Sequence, residues 1–342
     1  METLVGFYPN EIHELLHLKL HKAVPEFRSR QIFSWIIKGA KDFSEMSSLP
    51  ETLRQELALK FKLFSSSPGI VLKDVDGSIK IQIILEDRNL IEAVILRDLE
   101  DRKTACISSQ AGCAGSCIFC KTGTIGFKRN LRAKEIIEEL LLLKQKEAEI
   151  SNLVIMGMGE PLLNLEELRK AINFFTADEG MGISKRRITL STAGIVRGIM
   201  DLSDGGPDIR LALSLTSGRQ HLREKLMPLA KANPLNLIKE SLVYYQEKSK
   251  HRITLEVVLF KGINTCDEEA RAIAEFAQGL NTVINLIPWN PIEGLSLDGQ
   301  AFNPPSVKET NSFTAALEKH NLKVTLRTGK GGRINGACGQ LG

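Results

Sequence analysis

The chain has 342 residues, which at roughly 150 residues per domain is room for about two domains or one large barrel with an appendage. Hydrophobic residues at 43% and charged residues at 25% match the globular average, which excludes a wholly disordered chain, a collagen-like chain and a coiled coil. Lys and Arg number 45 against 41 Asp and Glu, a net charge of +4, too mild an excess to announce nucleic acid, so any basic footprint must come from local clustering.

The opening METLVGFYPNEIHELL carries acidic residues and no long apolar stretch, and no run elsewhere approaches the roughly 20 apolar residues that cross a bilayer. A cytoplasmic protein without membrane contact is expected. Up to about residue 70, EIHELLHLKL and SRQIFSWIIKGA space apolar residues by three and four, and LPETLRQELALKF opens with a proline near its first turn, so this part reads as helices. In GSIKIQIILEDRNLIEAVILRD the period changes to two around an acidic, polar turn, which predicts a hairpin. The expected division is a small helical domain over 1–75, a β extension over 76–100, a barrel over 101–326 and a terminal loop over 327–342.

From residue 100 the chain alternates β-rich runs with amphipathic stretches: TACISS then LRAKEIIEELLLLKQ, NLVIMG then NLEELRKAINFF, RITLST then IVRGIMDL, and so on to KVTLR. Repeated strand-helix units specify parallel strands joined by right-handed crossovers, hence an α/β fold, either a barrel, full or partial, or an open doubly wound sheet. About six units fall short of the full eight. The polar and glycine-rich signals follow the strands: the cysteines after TACISS, GMGEP after NLVI, Ser191 and Thr192, Ser214, and Asn290. In an α/β barrel these positions converge on one mouth.

Four of the six cysteines lie between Cys106 and Cys120, a pattern of metal ligation or redox chemistry and not of a secreted disulfide framework. In GCAGSCIFC, Cys113, Cys117 and Cys120 are bounded by Gly112 and Gly115 in a loop. Three thiolates at this spacing suit three corners of an iron–sulfur cube, leaving the fourth iron open. A zinc site would need a fourth ligand that the local spacing does not supply, and chance clustering of buried cysteines is the remaining alternative.

C-x-x-x-C-x-x-C after the first strand of a β/α series, with an aromatic before the last Cys, resembles the radical S-adenosylmethionine (SAM) superfamily. Within it, SSQAGCAGSCIFCKTGTIGFKRNL, NLVIMGMGEPLLN, SKRRITLSTAGIV, INLIPWNP and ACGQL together resemble the RlmN/Cfr family, which methylates adenosine in RNA. The likeness runs from about residue 90 to the last residue and is weaker in the helical part. It implies a partial (β/α)6 radical SAM barrel with a small N-terminal helical, RNA-contacting domain and a β-hairpin extension, and a 4Fe–4S cluster held by Cys113, Cys117 and Cys120. It implies two SAM molecules per turnover and methylation of carbon 2 of adenosine in 23S rRNA and in tRNA. Electrons would come from a low-potential donor such as flavodoxin or ferredoxin, to a monomeric enzyme. A Cfr-like methylase acting on carbon 8 and a non-methylating iron–sulfur RNA-binding protein are the alternatives.

By the same resemblance, Cys338 takes a methyl group from a first SAM and passes its carbon to the base through a covalent protein–RNA intermediate. Cys106 is the thiol that resolves this intermediate, leaving a disulfide to be reduced, and Glu92 in LIEAVIL is the proton acceptor, a carboxylate whose apolar setting suits a base. Gly159 and Glu160 meet the ammonium of SAM, and Ser191, Ser214 and Asn290 match contacts to its carboxylate, ribose and adenine. Leu215 and Thr216 contact it mainly through backbone, Thr216 standing where the family usually has histidine. Arg333 stands where an aspartate is usual. Met156 and Met158 are read as packing, Cys266 receives no role, and the histidines show no metal-ligand spacing. Basic residues cluster at Lys121, Lys128, Arg129 and Arg132; at Lys185, Arg186 and Arg187; and at Lys323, Arg327, Lys330 and Arg333. Brought to one rim, they would form a phosphate-binding surface, with the target base unstacked into the barrel mouth.

Overall fold

The computed structural model describes residues 1–342 except Leu99, Ala148 and Thr328. It opens with helices α1 (Pro9–Leu20), α2 (Glu26–Ile37) and α3 (Glu51–Lys60). Each has a start signal in the sequence: Pro9 is the first residue of α1, where Glu11 folds back to accept from Tyr8 N at 2.7 Å, and Pro25 and Pro50 cap α2 and α3. Their apolar faces, with Ile12, Leu16, Ile32, Ile36 and Leu57 fully or almost fully covered, close on one another.

A single ten-stranded sheet follows: β1 (Ser67–Lys73), β2 (Ile79–Ile84), β3 (Leu90–Arg97), β4 (Lys103–Ile107), β5 (Asn152–Ile155), β6 (Ile188–Thr192), β7 (Arg210–Ser214), β8 (Ile253–Leu259), β9 (Thr282–Pro288) and β10 (Val324–Leu326). Spatial order follows chain order from one edge to the other. β1 to β4 pair antiparallel and β4 to β10 parallel. The parallel crossovers run through α4 (Lys121–Ile125) and α5 (Ala133–Lys144), then α6 (Leu165–Thr176), α7 (Val196–Gly205), α8 (Gln220–Leu226) with α9 (Leu235–Ser249), α10 (Asp267–Ala277) and α11 (Val307–Glu318). Seven parallel strands with six crossovers make the partial (β/α)6 barrel that the family resemblance implies, one of the forms the strand-helix repeat leaves open. Helices on one face and a packed interior on the other bury both sides of each strand, which is why RLALS and ITLEVVL read as near-continuous apolar runs.

The predicted hairpin is β2–β3, paired from Ile79↔Ile95 to Ile84↔Leu90. The sheet begins earlier than expected, at β1, inside the span 1–75 assigned to helices. Ile70, Val71 and Leu72 are 61%, 41% and 40% exposed, so β1 lacks the in-out alternation that marks a half-buried strand, and backbone pairing to β2 makes it. The helical domain is tied to the barrel by Glu138 of α5, which accepts from Ser65 N at 2.6 Å and Ser66 N at 2.9 Å. Among the described residues no helix is long and apolar enough to cross a membrane.

Candidate active site

The carboxyl ends of the parallel strands surround one cavity of about 160 Å³. Cys113, Cys117, Cys120, Gly159, Glu160, Ser191, Ser214, Thr216, Asn290 and Cys338 all line it. Leu215 does not: its side chain is fully buried in the core, and its backbone N donates to Glu256 O at 2.9 Å.

The cysteine loop is shaped by backbone. Gly112 has φ +73°, and a Cβ there would stand 1.8 Å from Gly126 O, so only glycine fits where Cys113 N donates to that carbonyl at 3.2 Å. Gly115 N donates to Cys113 Sγ at 3.2 Å. Phe119 anchors the loop in an aromatic nest with Phe260, Trp289 and Phe302, where Trp289 Nε1 donates to Phe119 O at 3.0 Å. Burial pushes the Cys113 thiol up to about 11 and raises those of Cys117 and Cys120 as well. Three thiols that water no longer stabilises as anions are the donor set that iron replaces protons on. Among the described residues no three Cys, His, Asp or Glu side chains converge closely enough to hold a single ion. What the three cysteines share is the wall of one cavity.

Opposite them, Gly159 has φ +108°, and a Cβ on it would stand 2.7 Å from Gln110 N. The close approach lets Glu160 N donate to Gln110 Oε1 at 3.0 Å. The buried Glu160 carboxylate accepts from Thr192 Oγ1 (2.7 Å), Ala193 N (2.7 Å) and Leu162 N (3.0 Å). It therefore braces the loops after β5 and β6, with Oε2 having one such partner. Ser191 Oγ and Ser214 Oγ face each other at 3.2 Å across β6 and β7. Thr216, at φ +60°, keeps a buried Oγ1 without a partner, an orphaned hydroxyl on the cavity wall that suits a polar ligand. These residues fit a zwitterionic nucleoside such as SAM.

Two side chains that the sequence did not mark support this wall from behind, outside the cavity lining. Arg223 of α8 is fully buried and donates to Leu215 O at 3.1 Å and to Ala193 O. Burial lowers its pKa to about 10, so it stays charged at neutral pH beside Cys117 and Glu160. Gln110 donates to Asn130 Oδ1 at 2.9 Å and stitches the cysteine loop to GMGEP. QHLREKL and SSQAG give no local pattern that separates these two from surface residues.

The terminal loop lies across the mouth. Lys121 N donates to Gly339 O (2.7 Å), Thr122 Oγ1 to Leu341 O (2.6 Å), Asn290 Nδ2 to Cys338 O (3.0 Å) and Gln340 Nε2 to Pro291 O (3.1 Å). Half-buried Cys338 lines the cavity of the three cysteines and also a smaller one shared with Cys106 and Cys120. Both thiols are free. Cys106 is buried on β4, and burial first, then the charge of Cys338, pushes it up to about 12. Arg327, at the end of β10, shares a third small cavity with Cys338. Glu92 is not brought to these thiols: it lines a neighbouring cavity with Arg88, Lys128 and Gly342. Nor is it unpaired among apolar neighbours, because Lys80 Nζ lies 2.8 Å from Oε1 and Gly342 N donates to Oε2 at 2.9 Å. Cys266 is exposed at the start of α10.

The sequence profile of the Radical SAM superfamily matches residues 107–277, the span from the cysteine loop through α10. The probable dual-specificity RNA methyltransferase RlmN of Treponema denticola is 47% identical over 340 residues, covering 99% of this chain and 95% of that protein. Its counterparts in Treponema pallidum and Thermus thermophilus are 42% and 40% identical, covering 99% and 92% of this chain and 97% and 88% of theirs. The crystal structure of a radical SAM methyltransferase from Sphaerobacter thermophilus superimposes with a TM-score of 0.91 at 35% identity, over 100% of this chain and 99% of that one. The chain belongs to the RlmN/Cfr family of radical SAM RNA methyltransferases, SAM-dependent enzymes that act on RNA with a 4Fe–4S cluster.

Proposed function

We propose that this enzyme methylates carbon 2 of adenosine in 23S rRNA and in tRNA, with Cys338 as the carrier of the methyl carbon. The observation that carries the reading is the position of Cys338 in the wall between the cavity of the three cluster cysteines and the cavity of Cys106. When bound, the cluster and SAM supply an electron and a carbon-centred radical, which a poorly nucleophilic ring carbon requires. Cys338, having lost its thiol proton to solvent, would first attack the methyl carbon of one SAM: a new S–C bond forms at Cys338, the sulfonium–methyl bond breaks and S-adenosylhomocysteine leaves. After the methyl carbon has joined the base, loss of one electron, which the cluster would accept when bound, and of one proton, taken by Glu92 from the substituted ring carbon, restores the aromatic ring. Oε2 must be released by Gly342 N for this, so the tail lifts during turnover. Cys106 thiolate then attacks Cys338 sulfur, forming S–S and breaking S–C; the carbon leaves with the electron pair and takes a proton from solvent to become the methyl group, a thiol reductant reduces the disulfide before the next turnover, and a low-potential donor of the flavodoxin or ferredoxin class supplies the cluster's electron to a monomeric enzyme.

Mass spectrometry of RNA from a deletion strain, complemented with the gene or with Cys338→Ala, tests this. The wild-type chain is expected to restore 2-methyladenosine and the variant to restore none. Appearance of 8-methyladenosine would move the site to carbon 8, and full activity of Cys338→Ala would overturn the carrier role.

A further inference from the structure

A set of polar groups on the β extension lies outside the cavity of the three cysteines and has no task in it. The turn between β1 and β2 carries Asp74 and Asp76, and each shares its carboxylate between its own turn and the tail. Asp74 Oδ1 accepts from Val75 N at 2.6 Å and Oδ2 from Arg333 N at 3.1 Å. Asp76 Oδ1 accepts from Ser78 N and Oδ2 from Gly331 N, both at 2.8 Å. On β2, Lys80 Nζ donates to Asn335 O at 3.2 Å while paired with Glu92, whose other oxygen takes Gly342 N. The extension therefore holds the tail at residues 331, 333, 335 and 342, on both sides of Cys338.

We propose that Asp74, Asp76 and Lys80 are positioning residues: the β extension is a cradle that docks the loop bearing Cys338 over the barrel mouth. The proposal rests on the reading of Cys338 as the methyl carrier. Every grip is to the backbone of the tail, so docking depends on the path of the loop and leaves its side chains free to vary, Arg333 among them. Carboxylate-to-amide bonds are charge-assisted and stronger than neutral ones. Lys80 and Glu92 are each 8% exposed, so loss of Lys80 leaves the Glu92 carboxylate buried without its cation, with the Gly342 amide as its remaining partner. Gly331 takes φ +69°, a turn that presents its N–H to Asp76 and is open to glycine without strain. The cradle thus explains why β1, otherwise an exposed edge strand, is built at all.

Hydrogen exchange of the full-length, cluster-loaded protein tests the cradle without turnover. In an Asp74→Ala, Asp76→Ala double variant, and separately in Lys80→Met, amides of residues 329–342 are expected to exchange roughly tenfold faster or more, with β4 to β9, cluster absorbance and SAM binding unchanged. The fraction of Cys338 isolated as S-methylcysteine is expected to fall in both, and Lys80→Arg, which keeps the donors, to restore both readouts. Unchanged exchange of the tail in both variants overturns the cradle, as does faster exchange with an undiminished S-methyl fraction. Should the double variant fail to fold, Asp76→Ala alone is judged by the same two readouts. Absence of S-methylcysteine in the wild-type protein would sink the carrier reading and leave the exchange result standing, so the two failures are distinguishable.

Discussion

Cys106 shows how one residue's burial times a reaction. Loss of water around its sulfur moves the thiol from 9.0 to about 12, so at pH 8 only about one molecule in ten thousand carries the thiolate. A thiol held this way stays un-ionised while it is buried and gains nucleophilicity only when the cavity is wetted. Alkylation with iodoacetamide at pH 8, read by peptide mass spectrometry, is expected to modify exposed Cys266 readily and Cys106 at least a hundredfold more slowly. Equal rates would show that Cys106 is open in the resting enzyme. The sign of the linkage follows: the neutral thiol is the folded form, so its contribution to stability is complete below pH 9 and is lost as pH rises toward 12. At this scale the sequence was legible where chemistry and spacing coincide, as in Cys113, Cys117 and Cys120. Arg223, Gln110, Asp74 and Asp76 escaped it, because their roles come from backbone groups that reach them from distant strands.

The same division holds for elements. The helices and the parallel strands announced themselves through periods of three to four and through apolar runs bounded by polar turns, and the hairpin β2–β3 through its period of two. β1 did not, being held by pairing alone. Nor did the aromatic nest, whose members Phe119, Phe260, Trp289 and Phe302 come from four separate segments. This nest joins fold to site, since Trp289 Nε1 holds the carbonyl of Phe119, the residue before Cys120 of the cysteine loop. Trp289→Phe keeps most of the apolar contact and leaves that buried carbonyl unpaired, which costs about 1–3 kcal/mol. A melting temperature lower by several degrees, together with less iron retained after anaerobic reconstitution, is the expected pair of results. A normal iron content with a lowered melting temperature would mean that the nest supports the barrel and not the cysteine loop.

For the whole molecule, topology sorts the basic residues that the sequence grouped by proximity, and it separates them from the single rim expected. Arg129 is engaged by Asp87 and Glu135, and Arg132 lies 3.3 Å from Glu135. Lys185, Arg186 and Arg187 immediately precede β6, and Lys323 precedes β10, so they stand at the amino ends of parallel strands, away from the cavity. Lys121 and Lys128 are exposed beside the tail, Lys121 N bonded to Gly339 O and Lys128 lining the cavity of Glu92 and Gly342. Arg333 is exposed on the tail itself. Phosphates of an RNA that delivers a base to the mouth are expected to meet this second set. Each phosphate contact removed should lower the slope of log affinity against log salt by about 0.7 to 0.9. Lys121→Glu with Lys128→Glu is therefore expected to weaken RNA binding at least tenfold at 100 mM salt and to reduce that slope by about two, measured by filter binding across a salt series. Lys185→Glu with Arg186→Glu is expected to leave both affinity and slope close to wild type. The opposite outcome would place the RNA on the amino-terminal face of the barrel, where no unstacked base could reach Cys338.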